Sequence, residues 1–246
     1  MQSKIKEAAE LLNSCNHVTV LTGAGISTES GIPDFRSPEN GLWTKVDPDD
    51  FTIGAFEADP AILYRHGADF FTGIIEAQPN KAHFALGELE NKNLVKSVIT
   101  QNIDGLHQKG GSKNVLEVHG SLSRGVCLFC RYIQSMDELM EDVALGILPP
   151  LCKYCGAPMK PDVTLFGEAM PPAYQDALKE VERADAMLVV GSSLLVSPAN
   201  TLPARVEKLV IINRDHTIMD DMAQVVINES ISDVLPLLKE EWETLK

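Results

Sequence analysis

Residues 18–25 read Val18-Thr19-Val20-Leu21-Thr22-Gly23-Ala24-Gly25, a β-favouring run that breaks into glycines. Just before it, Ile5, Ala8, Ala9 and Leu12 place apolar side chains at helical spacing. The order is therefore helix, strand, glycine loop. Further short apolar runs suited to buried strands occur at 94–100, 115–118, 186–190 and 208–212, with a weaker one at 224–227. Helical patterns at 81–90, 173–183 and 198–205 separate several of them, and another at 231–245 (Val234, Leu235, Leu238, Trp242, Leu245) closes the domain. Strands alternating with helices pair in parallel, because each crossover helix returns the chain to the same sheet direction and covers a face. The expected fold is a doubly wound parallel α/β sheet.

Two segments break the alternation. Residues 51–78 look helical without an intervening strand, and 121–159 hold two Cys-x-x-Cys pairs and a helical patch at 136–145. Together they predict a small second domain, leaving 1–50, 79–120 and 160–246 to the sheet domain.

Hydrophobic residues make up 44% and charged residues 23%, which is globular composition and excludes a disordered chain. No apolar run approaches the ~20 residues that cross a bilayer, and residues 1–16 lack a signal-peptide pattern. A cytoplasmic enzyme without a membrane partner is the expectation. A net charge of −14 disfavours nucleic acid and anionic lipid and suits a lysine-rich protein segment, although a generic solubilising surface explains it equally. Nothing in the sequence fixes an oligomeric state.

The pairs Cys127/Cys130 and Cys152/Cys155, 21 residues apart between Cys130 and Cys152, have the spacing of two turns that hold Zn²⁺ between four thiolates. Four protein ligands leave no position for water or substrate, so the metal is structural; disulfides are the alternative in an oxidising compartment. Cys15 reads as a small buried side chain. Gly23-Ala24-Gly25 after a strand allows backbone to approach a pyrophosphate, with a helix N-terminus supplying N–H donors. The third glycine of the dinucleotide fingerprint falls on Thr28, so a plain tight turn stays open. Asp34 and Arg36 could form a surface ion pair, Asn102 and Asp104 a turn, and His119 a satisfied loop histidine.

The segments GAGIS at 23–27, GIPDFR at 31–36, TQNIDGLH at 100–107, HG at 119–120, the four cysteines, FGE at 166–168 and GSSL at 191–194 occur in the order found in sirtuins. The chain resembles that family from about Val18 to its last helix. The resemblance implies a Rossmann-like domain and a small zinc-ribbon and helical domain, with NAD and an acyl-lysine protein or peptide in the cleft between them. The implied activity is NAD-dependent lysine deacetylation or deacylation, in which NAD is consumed to release nicotinamide and O-acyl-ADP-ribose.

The same resemblance distributes roles. His119 is the general base acting on the nicotinamide ribose, and Gln101 and Asn102 orient that ribose and a water. Phe35, Ile103 and Asp104 form the nicotinamide pocket. Gly23, Ala24, Gly25 and Thr28 line the pyrophosphate, with Asp34 and Arg36 close by. Gly191, Ser192, Ser193 and Asn213 hold the adenosine end, and Ile231 borders the adenine. The substrate peptide adds a strand between Gly167–Glu168 and Leu195–Val196, with Thr164 and Phe166 near the acyl tunnel. Here the chain departs from the family, which commonly has a more apolar residue at 164 and an aromatic at 165. Sirtuins that prefer succinyl- or malonyl-lysine carry Tyr-x-x-Arg, whereas this chain reads Tyr64-Arg65-His66-Gly67, so a neutral acyl group is expected.

Three other functions compete. A mono-ADP-ribosyltransferase on the same scaffold would leave ADP-ribose bound to protein. A dehydrogenase would need the glycine fingerprint that Thr28 breaks. A zinc-ribbon binding module with a vestigial nucleotide site would not need His119, Asn102 and Asp104 together.

Overall fold

The computed structural model describes residues 1–39 and 41–245. In chain order the first half runs α1 (Gln2–Asn13), β1 (Val18–Thr22), α2 (Ile53–Ala58), α3 (Pro60–Glu76), α4 (Lys81–Asn91), β2 (Ser97–Thr100), α5 (Leu106–Lys109) and β3 (Val115–Glu117). It continues with β4 (Gly120–Cys127), β5 (Ile133–Ser135), α6 (Met136–Ala144), β6 (Met159–Val163), α7 (Pro172–Arg183), β7 (Ala186–Val190), β8 (Lys208–Ile212), β9 (Val225–Ile227) and α8 (Ile231–Thr244).

Six strands form a wholly parallel sheet in the order β3-β2-β1-β7-β8-β9. Every residue of β1 and β7 is buried, which is why these strands read as unbroken apolar runs rather than as alternating ones. On one face, Ile5, Ala9 and Leu12 of α1 pack with Leu86 and Leu89 of α4 and Val234, Leu238 and Trp242 of α8. On the other, Tyr174, Ala177 and Val181 of α7 cover Met187, Val189 and Ile211. The strand order reverses between β1 and β7, where open α/β sheets bind ligands. The register pairs Thr22 with both Thr100 and Val190, so the loops after β1, β2 and β7 leave the sheet at one level.

Two expected helices differ. After β1 the chain forms a 3₁₀ turn, Ala24–Ser30, which stops at Gly31 with φ +88°. Residues 198–205 form two 3₁₀ turns, Ala199–Thr201 and Pro203–Arg205, because Pro203 has no N–H to continue a helix.

The second sheet is antiparallel, in the order β5-β4-β6. Its Leu122, Cys127 and Met159 share an apolar cluster with Met136 and Leu139 of α6 and with Phe51, Phe56, Leu63, Tyr64 and Phe71 from the helical segment. Asp59 caps α3 by accepting the Ala61 N–H at 3.1 Å, and Pro60 occupies the first turn, where its missing N–H costs nothing.

Candidate active site

At the switch point Gly25 donates its N–H to the Gly191 carbonyl at 2.8 Å, and Gly23 to that of Val190 at 3.2 Å. A Cβ on Gly23 or Gly25 would lie 2.8 Å from the Gly191 oxygen, and one on Gly191 would lie 2.4 Å from the Ile26 nitrogen. The missing side chains thus let the backbones of the two loops approach each other directly. Gly191 also has φ +63°, in the left-handed region. Thr28 turns its hydroxyl onto the Gly25 carbonyl at 3.0 Å. Ser192 is buried and accepts from Gln101 Nε2 at 2.9 Å, while Ser193 is exposed. Asn213 Nδ2 donates to Asp215, and Ile231 lies against Gly191.

Below these loops runs a buried polar chain. Asn102 Nδ2 donates to the Gly23 carbonyl and to Ser27 Oγ, each at 3.1 Å, and Ser27 donates to Asp104 Oδ2 at 2.7 Å. Asp104 Oδ1 accepts the Leu106 N–H at 2.9 Å. Burial pushes the Asp104 carboxyl above the ordinary carboxylate range, against the opposing bonds from Leu106 and Ser27. His83, at the start of α4, accepts the Asn80 N–H on Nδ1, so its proton sits on Nε2, 3.5 Å from Ser27 Oγ. Burial lowers its pKa to about 4. His107 lies 5.0 Å from His83 between ring centroids. Thr22 donates to Thr100 Oγ1 at 2.8 Å and so accepts from His107 Nε2 at 2.8 Å, which leaves His107 Nδ1 buried without a partner among the described residues. Burial, then its neighbour His83, holds His107 well below the usual imidazole range. No role for His83, His107, Thr22 or Thr100 was read from the sequence; the pattern Asn80-x-x-His83 at a helix start was the visible sign of the first.

His119 sits just past β3. Its Nδ1 faces the Gln101 carbonyl at 2.9 Å, so that nitrogen carries the proton and Nε2 keeps a lone pair. Burial lowers its pKa, with the Gln101 bond opposing, so the ring is neutral near pH 7. Its own carbonyl accepts the Thr164 N–H at 2.8 Å. Residues 164–168 form a strap: Phe166 exchanges two backbone bonds with Phe51 and Ile53, both 3.0 Å, and Gly167 turns at φ +87°. Leu195 is exposed and Val196 half-buried, and among the described residues no hydrogen bond joins either to the strap.

Phe35 packs at 5.3 Å on Trp43 and 6.0 Å on Phe70, while Trp43 meets Phe51 at 5.4 Å and Phe166 at 6.1 Å. Ile103 joins the same apolar group. Asp34 turns back on its own loop, accepting from the Arg36 and Ser37 amides and the Ser37 hydroxyl. Burial alone would raise its carboxyl, but those bonds hold it low. Arg36 is exposed. Tyr64 is fully buried and donates to the Met159 carbonyl at 2.8 Å; Arg65 pairs with Asp59 and His66 with Asp50.

The four cysteine sulfurs lie within 4.8 Å of one another, with Cys127–Cys155 and Cys130–Cys152 at 3.5 Å. A tetrahedral zinc with Zn–S of ~2.3 Å needs sulfur separations of roughly 3.8 Å. A disulfide needs ~2.05 Å, so the cluster fits one structural zinc and not bridges. Cys15 is buried, as expected.

The Sir2 family model matches residues 23–198. The chain is 48% identical, over its whole length and 98% of the other, to an NAD-dependent protein deacetylase of Caldanaerobacter subterraneus subsp. tengcongensis. Its fold is similar to a Sir2 complex with deacetylated p53 peptide and 3'-O-acetyl-ADP-ribose (TM-score 0.92, 39% identity, 96% of this chain and 98% of that one). It is also similar to a Sir2–p53 peptide–NAD+ complex (TM-score 0.90, 38% identity, 98% and 99%). The chain belongs to the Sir2 family.

Two expectations follow from this geometry. Metal analysis should find one zinc per chain, and chelation should release β4–β6 to hydrogen exchange before the parallel sheet; an intact small sheet in zinc-free protein would count against the metal's structural role. The second concerns acid. Between pH 6.5 and about 4 the unfolded chain protonates its histidines while folded His83 stays neutral, so the unfolded state binds more protons and stability falls as pH falls. Asp104, whose folded pKa is raised, acts in the opposite sense. His83 alone contributes a loss on the order of 3 kcal/mol by pH 4. Denaturant titrations from pH 7 to 4.5 should show this slope, and it should flatten in His83→Asn.

Proposed function

We propose that the protein is an NAD-dependent protein lysine deacetylase that releases nicotinamide and O-acetyl-ADP-ribose. The observation that carries this reading is the setting of His119: one face of the residue is tied to Gln101 in the β2 loop and its carbonyl to Thr164 at the head of the strap. A neutral imidazole whose Nε2 keeps its lone pair therefore stands between the loops of the parallel sheet and an edge able to take an extended peptide. The related Sir2 complexes contain NAD+, or a deacetylated peptide with acetyl-ADP-ribose, which supports placing both substrates here.

NAD, consumed as a co-substrate, supplies an activated ribose carbon with nicotinamide as leaving group. On the protein side, Gly23, Ala24, Gly25 and Thr28 take the pyrophosphate with Arg36 alongside, and Gly191, Ser192, Ser193, Asn213 and Ile231 the adenosine. Asp104, Ile103 and Phe35 take the nicotinamide; an up-shifted carboxyl bonded to Ser27 suits a carboxamide partner. Asn102 and Gln101 orient the ribose. His119 Nε2 accepts a ribose hydroxyl proton, while the Gln101 carbonyl stabilises the imidazolium formed. Thr164–Glu168 and Leu195–Val196 border the peptide, with Phe166 at the tunnel. The division at 51–78 and 121–159 belongs to this reading, supported by the apolar cluster that joins those segments. So does a cytoplasmic setting, a compartment in which thiols stay reduced and free to bind zinc.

Incubation with NAD and an acetyl-lysine peptide should yield nicotinamide and O-acetyl-ADP-ribose in equal amounts; protein-bound ADP-ribose without the ester would overturn the assignment. His119→Ala should keep NAD affinity and lose ~10²–10⁴-fold in turnover, and near-normal turnover by the folded variant would remove His119 from its role. Acyl choice follows from the helical segment. Tyr64, Arg65 and His66 are engaged elsewhere, and a side chain at Gly67 would meet the Phe71 ring at 2.9 Å. A succinyl carboxylate would enter without a cation from this helix, so its kcat/KM should be at least ~10-fold below acetyl on the same peptide. Equal or higher values for succinyl would reject this.

A further inference from the structure

Lys160 lies in β6 with only 3% of its surface exposed, in a position where lysine is seldom found without a partner. Its ammonium has three N–H donors and meets three oxygens: Val163 O at 2.6 Å, Pro161 O at 3.2 Å and Glu168 Oε2 at 3.0 Å. The same Glu168 oxygen accepts the Leu165 N–H at 2.7 Å, and the Glu168 N–H returns to the Leu165 carbonyl at 3.1 Å. One buried cation thus grips the strap at both ends, through the carbonyl before Thr164 and the carboxylate after Gly167.

We infer that Lys160 is a positioning residue for the acyl-lysine peptide, acting through the Thr164–Glu168 strap without touching substrate. The inference rests on the peptide lying along that strap, as proposed above. Its physical basis is the geometry of the loop. The apex, Phe166 and Gly167, is exposed, and the aromatic contact of Phe166 is with Trp43 at 6.1 Å between ring centroids. Its position is set by the backbone bonds to Phe51, Ile53 and His119 and by the closure onto Lys160. Removing the cation leaves the half-buried Glu168 carboxylate without its partner and the Pro161 and Val163 carbonyls without their donor. The carboxylate then turns to water, releases the Leu165 N–H, and the loop loses its closed form. The pairing also means that Glu168 is neutralised from within and does not recruit a cationic peptide by its own charge.

The test compares Lys160→Met, Lys160→Arg and Glu168→Gln with the wild-type chain. Lys160→Met should raise the KM for an acetyl-lysine peptide at least ~10-fold, with the KM for NAD and the zinc content unchanged. Glu168→Gln should shift it in the same direction and Lys160→Arg should restore it. A folded Lys160→Met protein with unaltered peptide KM, or one in which both KM values rise together, overturns the inference. Amide exchange at Leu165 and Glu168 in the free protein forms an arm that needs no substrate. It should quicken in Lys160→Met and Glu168→Gln but not in Lys160→Arg, and unchanged exchange overturns the brace whatever the activity. If Lys160→Met fails to fold, Glu168→Gln decides on both readouts. A wild-type protein inactive on the peptide refutes the functional reading alone, because the exchange arm still reports on the brace.

Discussion

Gly25 reaches the Gly191 carbonyl across 2.8 Å, and neither residue could carry a side chain while it does so. This contact joins the loops of two neighbouring parallel strands at the point where the sheet changes direction. Because β1 and β7 end at the same level, the loops can meet only by backbone. Their meeting places Ile26 and Ser27 against the end of β2, and Ser27 is the hydroxyl through which Asn102 and Asp104 are linked. A Cβ at Gly191 would displace the 3₁₀ turn that carries Ser27. The polar site is therefore a consequence of how closely two loops of the sheet approach.

The site below that contact is drier than its composition suggests. Two histidines, two threonines, a serine, an asparagine and an aspartate are buried together, and nearly all their polar atoms are matched. Such a network stays favourable only when the histidines remain neutral, since an imidazolium here would lack both water and a counter-charge that is not already engaged. The lowered pKa values of His83 and His107 express that constraint. Among the described residues, the atom of this group left without a partner is His107 Nδ1. Fixed tautomers give Ser27 a defined donor direction towards Asp104.

Much of this was legible from residue order. Strands 186–190 and 208–212 were readable to the residue, because burial on both faces makes a parallel strand an unbroken apolar run. The Cys-x-x-Cys spacing specified the thiolate cluster, and the ordered motifs specified the family. Other features depend on neighbours distant in sequence. Nothing in Lys-Pro-Asp signals that Lys160 is buried, and its partner Glu168, 3.0 Å away, lies eight residues on. His83 looks like an ordinary helical position until its cap to Asn80 and its approach to Ser27 are seen. The 3₁₀ form of 24–30 was hidden for a related reason: contact with Gly191, not local propensity, sets its path.

The metal cluster acquires its meaning from β4 and β6. β4 leaves the parallel sheet at Gly120, directly after His119, and ends at the thiolate of Cys127; β6 returns from Met159, opposite Cys127, to Val163, directly before Thr164. Seven residue steps at ~3.3 Å separate the two ends of β4 by on the order of 20 Å, so the metal is too far from His119 to take part in bond making. It can nevertheless fix the register. The pairing shifts at an irregularity between Gly120 and Gly125, and its far end, Cys127 opposite Met159, lies at the thiolate cluster. A slip of one residue would move Thr164 off the His119 carbonyl and turn Lys160 to the opposite face of the sheet. A closed four-thiolate clamp at the distal end resists that slip without offering a reactive coordination position, which is why its chemistry can be inert while the geometry of the strap and the imidazole depends on it.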